Sequence, residues 1–206
     1  MAVQSNYSIT QINNDTKKGK ETFYWDDMLG PLISANLDVS SGRIDYDYFN
    51  GAIAYQNNAR YPGEPVAQKN QFTHRYMVGT NGRPHMHWKQ QSVNIPNWLL
   101  AWKLSSNGEA DIIETDFSNY NLEIIANHVF TYTSGVLNQI SVFPEIDLST
   151  ANISDNLHIV LFRDSANTSG LFAGADPSGI IEYVTDLDTH IQLDRNGSEQ
   201  EYTKEA

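Results

Sequence analysis

Residues 81–91 read NGRPHMHWKQQ, and their alternation of side-chain types indicates a β-strand. Successive side chains of a strand point to opposite faces of its sheet. His85 and His87 therefore share one face, while Met86 and Trp88 share the other. The apolar pair is expected to pack in the core, which leaves the two histidines facing outward, towards solvent or a neighbouring subunit.

A period of two also recurs on both sides of this stretch. In 97-NWLLAWKLSS-106, one face carries four large apolar side chains, those of Trp98, Leu100, Trp102 and Leu104. Similar alternation occurs in residues 43–55, 71–79, 121–133, 137–146, 157–164 and 180–194. Turn signals such as Asn81-Gly82 and Asn107-Gly108 separate the segments. Seven to nine such strands without a βαβ rhythm predict an all-β fold, an antiparallel β-sandwich or jelly roll.

The first 20 residues differ from the rest of the chain because they are polar and lack periodicity. They are expected to form an extended N-terminal arm, and residues 21–206 to form the sandwich domain. Helix is expected, if anywhere, in two short windows, 24–36 and 148–156. The Gly30-Pro31 step should block a long helix in the first of them.

Composition narrows the classes of partner and chemistry. The chain has 206 residues, 13 basic and 25 acidic, and a formal net charge of -12. This acidic balance argues against nucleic acid or an anionic membrane as a partner. The chain has no Cys, which excludes a disulfide framework, a thiolate metal site and a Cys nucleophile. The sequence shows no apolar stretch of signal-peptide or membrane-spanning length, so neither is expected.

The His85-x-His87 pair is the main candidate for chemistry. Two imidazoles on one strand face can bind one metal ion, and His128, His158 and His190 are possible distant ligands. Three alternatives remain open: a plain polar face, a metal site within one subunit, and a metal site shared between subunits on a threefold axis. The plain outward face is the prediction, so no metal and no cofactor is expected. If the pair is buried at a subunit contact, the contact should loosen as the histidines protonate near pH 6.

Signals for catalysis are weak. The sequence contains no G-x-S-x-G elbow, no H-E-x-x-H and no P-loop, so no catalytic residue is predicted. A cupin-like metal-dependent enzyme using His85 and His87 is the enzymatic alternative. At the end of the apolar run 157–164, Arg163 and Asp164 are expected to leave the core as an exposed ion pair of little energetic value.

Several stretches together resemble the β-rich structural proteins encoded among the virion genes of tailed bacteriophages. The matching positions lie between residues 25 and 204 and are Trp25, Asp26 and Asp27; Pro84, His85, His87 and Trp88; Phe143 and Pro144; Arg163 and Asp164; and His190, Asp194, Gly197, Ser198 and Lys204. One departure is Thr73-His74, which stands where the family often has a second Pro-His.

The resemblance implies a virion component assembled in the host cytoplasm, and not an enzyme. The leading hypothesis is a trimeric capsid decoration or cement protein that stabilises the head. Its partners would be the major capsid protein or other virion proteins and copies of itself, with His85, His87 and Trp25 as interface candidates. The alternative is a tail- or fibre-associated receptor-binding protein, for which 54-AYQNNARYPGEP-65 offers aromatic rings and amides suited to glycans.

Overall fold

The structure is a computed structural model that describes residues 24–29, 32–34, 44–47, 52–63, 65–106, 116–128 and 139–193. The predicted arm over residues 1–20 lies outside the described residues, as do the Asn107-Gly108 turn signal and residues 194–204 of the phage-like C-terminal motif. None of the described residues forms a helix with the length and apolarity needed to cross a membrane.

The described residues form β-strands, turns and loops, without any helix. In chain order the strands are β1 (Tyr24–Leu29), β2 (Ile33–Ser34), β3 (Ile44–Asp47), β4 (Ala52–Tyr55), β5 (Val66–Gln71), β6 (Arg83–Lys89), β7 (Trp98–Ser105), β8 (Asn121–Ile124), β9 (Asn127–His128), β10 (Gln139–Val142), β11 (Asn156–Arg163) and β12 (Glu182–Leu193).

The strands form two antiparallel sheets. The first has the order β3-β4-β12-β6-β10-β9, and β1 also pairs with β12. The second has the order β2-β5-β11-β7-β8. One cluster of buried apolar side chains draws on both sheets and fills the space between them. The chain is therefore an all-β, antiparallel β-sandwich, as the period of two predicted.

The core face of β6 is the one predicted from its sequence. Met86 and Trp88 are fully buried, and the Trp88 ring meets the ring of Trp98 on β7 edge-on, with centroids 5.7 Å apart. The ring of Tyr55 on β4 approaches Trp98 from a second direction, at 5.2 Å. The predicted inward face of β7 is confirmed too, since Trp98 and Leu100 join the same cluster.

Strand β7 is buried on both faces. Its other face carries Leu99 and Ala101, which form a second apolar cluster with Val160 and Phe162 of β11. The rings of Tyr61 and Phe117 cover Phe162 edge-on, each with its centroid 5.0 Å away. Loop residues therefore shield the outer face of the second sheet, whereas the outer face of the first sheet has no such apolar cluster among the described residues.

The two helical windows were predicted wrongly. Residues 24–29 form β1, because pairing with β12 satisfies their backbone groups and directs Met28 into the core. Residues 148–156 contain turns, with the Asn152 backbone N–H donating to the Asp155 carboxylate and Ser154 at a φ of 67°. Side-chain to backbone bonds of this kind compete with helix.

The strand expected over 71–79 is also wrong. Strand β5 ends at Gln71, and a turn follows in which the Tyr76 N–H donates to the Thr73 carbonyl. Tyr76 forms an isolated bridge with Leu193. Phe72 and Tyr76 still reach the core, with ring centroids 4.5 Å apart, because the turn brings both side chains inward.

Arg163 and Asp164 do not leave the core, contrary to expectation. Both are fully buried at the end of β11. The Arg163 Nε donates to the Asp176 carboxylate at 2.8 Å, and its Nη1 donates to the carbonyls of Tyr55 and Ile180. The guanidinium thus binds the loop that precedes β12 to the end of β4.

Asp164 holds the same loop through backbone donors. Its carboxylate accepts hydrogen bonds from the N–H groups of Thr168 at 2.7 Å and Ser169 at 2.9 Å. A charged pair whose hydrogen bonds are largely satisfied can remain buried. The sequence shows the two charged residues. It does not show the distant carbonyls that accept hydrogen bonds from Arg163, or the backbone N–H groups that donate to Asp164.

Candidate functional site

Three strands of the first sheet bring the sequence-predicted residues to its outer face. In the register of the sheet, His85 on β6 is opposite Asp188 on β12, which is opposite Leu29 on β1. One row further, His190 lies between Arg83 and Asp27. We call this surface the histidine face; it consists of Trp25, Asp27, Leu29, Arg83, His85, His87, Asp188 and His190.

A β-bulge in β12 decides which of its residues reach the histidine face. Val184 is opposite Trp88 and Leu187 is opposite Met86, so both are directed into the core. Two residues lie between them where strict alternation would leave one, because the register shifts between Val184 and Asp186. Strict alternation from Val184 would have turned Asp188 and His190 inward. The extra residue turns them outward, which is a common effect of bulges beside functional sites.

The most buried contact of the histidine face joins His85 and Asp188. The His85 Nδ1 lies 2.8 Å from Asp188 Oδ1, and the two side chains are only 9% and 5% exposed. Oδ1 nevertheless receives no well-directed hydrogen bond from any described residue. Asp188 is therefore a buried carboxylate that is only partly satisfied.

His87 lies at the margin of the cluster. Its Nε2 is 3.7 Å from the second carboxylate oxygen of Asp188, and its side chain is 37% exposed. The ring centroids of His87 and His85 are 5.1 Å apart. The two histidines are outward-facing neighbours, as predicted, but their environments differ because only His85 is buried.

His190 completes the group from β12. Its ring meets the His85 ring edge-on with centroids 4.3 Å apart, and its Nε2 lies 2.7 Å from Asp27 Oδ1. Asp27 is on β1, so the contact ties the first described strand to the centre of the sheet. The candidates His85 and His190, more than a hundred residues apart, are thus brought into direct contact.

Trp25 lies beside the histidines and is partly exposed. Its ring has the Arg83 guanidinium carbon 4.3 Å above its centroid, a cation–π geometry. Arg83 also pairs with Glu145, whose Oε1 is 2.6 Å from its Nε. With Leu29 61% exposed, the edge of the histidine face carries apolar surface next to charge.

Electrostatics distinguish His85 from an ordinary surface histidine. Burial lowers the pKa of its imidazole, but the contact with Asp188 and the negative charge of that carboxylate outweigh burial, so the pKa of His85 is raised. The charged imidazolium is therefore favoured here. Protonation strengthens the contact with Asp188 inside one subunit, whereas the sequence-based expectation was that it would loosen a contact between subunits.

Sequence reasoning named the histidines and missed the role of Asp188. His85, Asp188 and His190 each offer one ligand atom within 4.8 Å of the others. The Asp188-x-His190 spacing repeats that of His85-x-His87, and this shared period of two was the available signal. The other candidate histidines lie elsewhere: His128 contacts Ser141, and His158 contacts Ser105 on the second sheet.

One of the clefts on the molecule borders this region. It has a volume of about 310 Å³ and lies between β1 and β5, with Asp27, Leu29 and Lys69 among its lining residues. The cleft places a basic side chain opposite the acidic edge of β1. The imidazole nitrogens and carboxylate oxygens of the histidine face can together bind a proton or a cation.

Comparison with known proteins gives a structural likeness only. No family model and no curated protein matches the sequence. Among solved structures, the chain is similar to TmCBM61, which was determined in complex with β-1,4-galactotriose. That match covers 84% of this chain and 91% of the other, with 9% sequence identity and a TM-score of 0.32.

Proposed function

We propose that this chain is a non-enzymatic virion structural protein that acts as a trimeric capsid decoration protein and stabilises the head. The observation that carries the proposal is the convergence of three phage-like motifs on one surface. The Trp25-Asp26-Asp27 stretch, the Pro84-to-Trp88 stretch and His190 are far apart in sequence, yet all contribute to the histidine face.

The composition of the histidine face suits contact with another protein. Trp25 is 39% exposed and Leu29 is 61% exposed, and both lie beside the charged side chains of Arg83 and Asp27. Aromatic and Arg side chains are enriched at protein interfaces. Burying an exposed Leu contributes about 1.5–3 kcal/mol, so a partner that covers Leu29 gains measurable affinity.

The receptor-binding alternative draws on the aromatic residues of 54–65, and their placement favours it less. Tyr55 is fully buried, with its hydroxyl donating to the Leu161 carbonyl. The ring of Tyr61 packs edge-on against Phe162. Both rings are engaged in the fold, so they offer little surface for stacking on a sugar.

Copy number in purified particles tests the proposal. A decoration protein repeats across an icosahedral lattice, so on the order of a hundred or more copies per particle are expected, by quantitative mass spectrometry against the major capsid protein. About a dozen copies would instead place the chain on the tail, whose symmetry is low. Absence from the particle would overturn the virion assignment.

A pair of surface variants tests whether the histidine face makes the contact. Leu29→Ser removes an exposed aliphatic side chain from it, and Val93→Ser does the same at a 69% exposed position between β6 and β7. Leu29→Ser should lower capsid occupancy by about tenfold or more, whereas Val93→Ser should leave it unchanged. Equal occupancy of the two variants would exclude this face as the contact.

A further inference from the structure

We propose that His85, Asp188 and His190 form a binding site for one divalent transition-metal ion, such as Zn²⁺, within a single subunit. Their ligand atoms all lie within 4.8 Å of one another. The site lies on the histidine face, but it does not rest on the virion role, because it needs only residues of one chain.

The backbone fixes the relative positions of the three ligands. His85 is directly opposite Asp188 in the β6–β12 pairing, and His190 follows Asp188 by two residues on the same face. Cross-strand neighbours of this kind have Cβ atoms about 4.5–5.5 Å apart. Two central strands of a sheet therefore hold the donors in place, with no loop needed to deliver any of them.

Asp188 supplies an independent reason to expect a cation. Its side chain is 5% exposed, and its Oδ1 accepts no hydrogen bond although His85 Nδ1 is only 2.8 Å away. An unsatisfied buried carboxylate oxygen is costly, because it has lost water without gaining a donor. A metal ion between Oδ1 and the two imidazoles would satisfy it.

Asp27 is placed to orient one ligand from outside. Its Oδ1 lies 2.7 Å from His190 Nε2, which leaves Nδ1 as the nitrogen available to an ion. Metal-bound histidines usually donate their second ring N–H to a carboxylate or carbonyl, and this fixes the ring orientation. Metal binding would thereby also strengthen the attachment of β1 to β12.

The ligand types select the class of ion. Two imidazoles and one carboxylate suit Zn²⁺ and its neighbours in the first transition row, whereas Ca²⁺ and Mg²⁺ prefer sets of oxygen ligands. Ligands of tetrahedral zinc are roughly 3.3 Å apart, so His85 and Asp188, whose atoms are 2.8 Å apart, must separate slightly while His190 moves closer. His190 can make that movement because its side chain is 40% exposed. Water or His87 would fill the fourth position.

A proton competes with the metal for the same atoms. His85 Nδ1 and Asp188 Oδ1, only 2.8 Å apart, can share a proton in place of an ion. Metal affinity should therefore fall as the pH is lowered below neutral, since each imidazole must lose its proton in order to bind.

Titration of the full chain, without a histidine tag and after chelator treatment, tests the site. Isothermal titration with ZnCl₂ at neutral pH should give one equivalent per chain, and CoCl₂ should give the visible absorption of a four- or five-coordinate ion. Asp188→Asn and His190→Gln should each weaken Zn²⁺ binding by about tenfold or more. His158→Gln, a histidine on the second sheet, should bind as the wild type does.

The outcomes separate the possibilities. Failure of the wild type to bind a stoichiometric amount of Zn²⁺ would overturn the proposal whether or not the variants fold. Equal binding by Asp188→Asn and the wild type would overturn it as well, provided that their circular dichroism spectra agree. A stoichiometry of one ion per three chains, lost in His87→Gln, would replace the proposed site with one shared on a threefold axis.

Discussion

Arg163 carries its charge inside the core, in an ion pair with Asp176. Its side chain is fully buried, and Asp176, its partner, is 2% exposed. Removing one member of a buried pair leaves the other charge uncompensated, which is more costly than losing an exposed pair. The contrast with Arg83, which is half exposed beside Glu145, allows this cost to be measured within one protein.

We expect Arg163→Met to lower the free energy of unfolding by about 3–5 kcal/mol, because Asp176 and the carbonyl of Ile180 lose their donor. Arg83→Met is the matched control and should cost about 1 kcal/mol or less. Urea unfolding followed by tryptophan fluorescence measures both. Similar losses in the two variants would mean that burial of the pair does not set its energetic value.

Among the strands, the start of β6 depends on how closely the backbone of Gly82 approaches the side chains of Leu148 and Thr189. Gly82 pairs with Ile146, with backbone hydrogen bonds of 3.1 and 3.0 Å in the two directions. A Cβ at this position would lie 2.6 Å from a methyl carbon of Leu148 and 3.0 Å from that of Thr189. The sequence predicted a turn at Asn81-Gly82. In the structure Gly82 is instead part of a bridge to Ile146, and Gly is required because there is no room for a Cβ.

Gly82→Ala should therefore destabilise the fold by about 1–3 kcal/mol through overpacking. Gly174→Ala is its control, because a Cβ there has no atom within 4 Å and the backbone is not left-handed. That variant should remain within about 0.5 kcal/mol of the wild type. Thermal unfolding of the two variants in parallel measures the difference, and equal midpoints would contradict the close approach.

For the whole molecule, stability should depend on pH through Glu182 at the start of β12. Its carboxyl is fully buried and accepts hydrogen bonds from Ser178 Oγ and the Gln91 N–H, yet burial raises its pKa to about 7. The folded state thus binds a proton that the unfolded state releases near pH 4.5. Stability contributed by this proton is lost as the pH rises from about 4.5 to 7.

The size of this loss is at most about 3 kcal/mol. His85, whose pKa is raised from 6.5, acts in the same direction as the pH rises above 6.5, whereas His128, whose pKa burial lowers, acts in the opposite direction below 6.5. Comparison with Glu182→Gln cancels both histidines. Between pH 5 and 8 the wild type should lose stability relative to that variant, in urea unfolding at each pH.

Glu145→Gln is the control for this comparison, because Glu145 is a half-exposed surface carboxylate. Its pH profile should parallel that of the wild type. If Glu182→Gln also parallels the wild type, then the buried carboxyl does not hold its proton near neutral pH.

The period-two alternation was enough to predict the class of fold and the buried face of β6. Alternation of apolar and polar residues is a local property, because each strand turns successive side chains to opposite faces. Met86, Trp88, Trp98 and Leu100 could therefore be assigned to the core, and His85 and His87 to the outside, without knowing any partner strand. Residues 24–29 were misjudged because a short apolar run near Gly and Pro is ambiguous until its pairing is known.

Which distant residues come into contact depends on how the strands pair. The contact of His85 with Asp188 and His190 depends on the β6–β12 register and on the bulge before Asp186. The alternation of residues in β12 does not show where that bulge lies. The burial of Arg163 likewise depends on carbonyls and a carboxylate from other segments. Such contacts join segments that are far apart in the chain. They are therefore determined by how the strands pack, and not by the local conformational preference of any one segment.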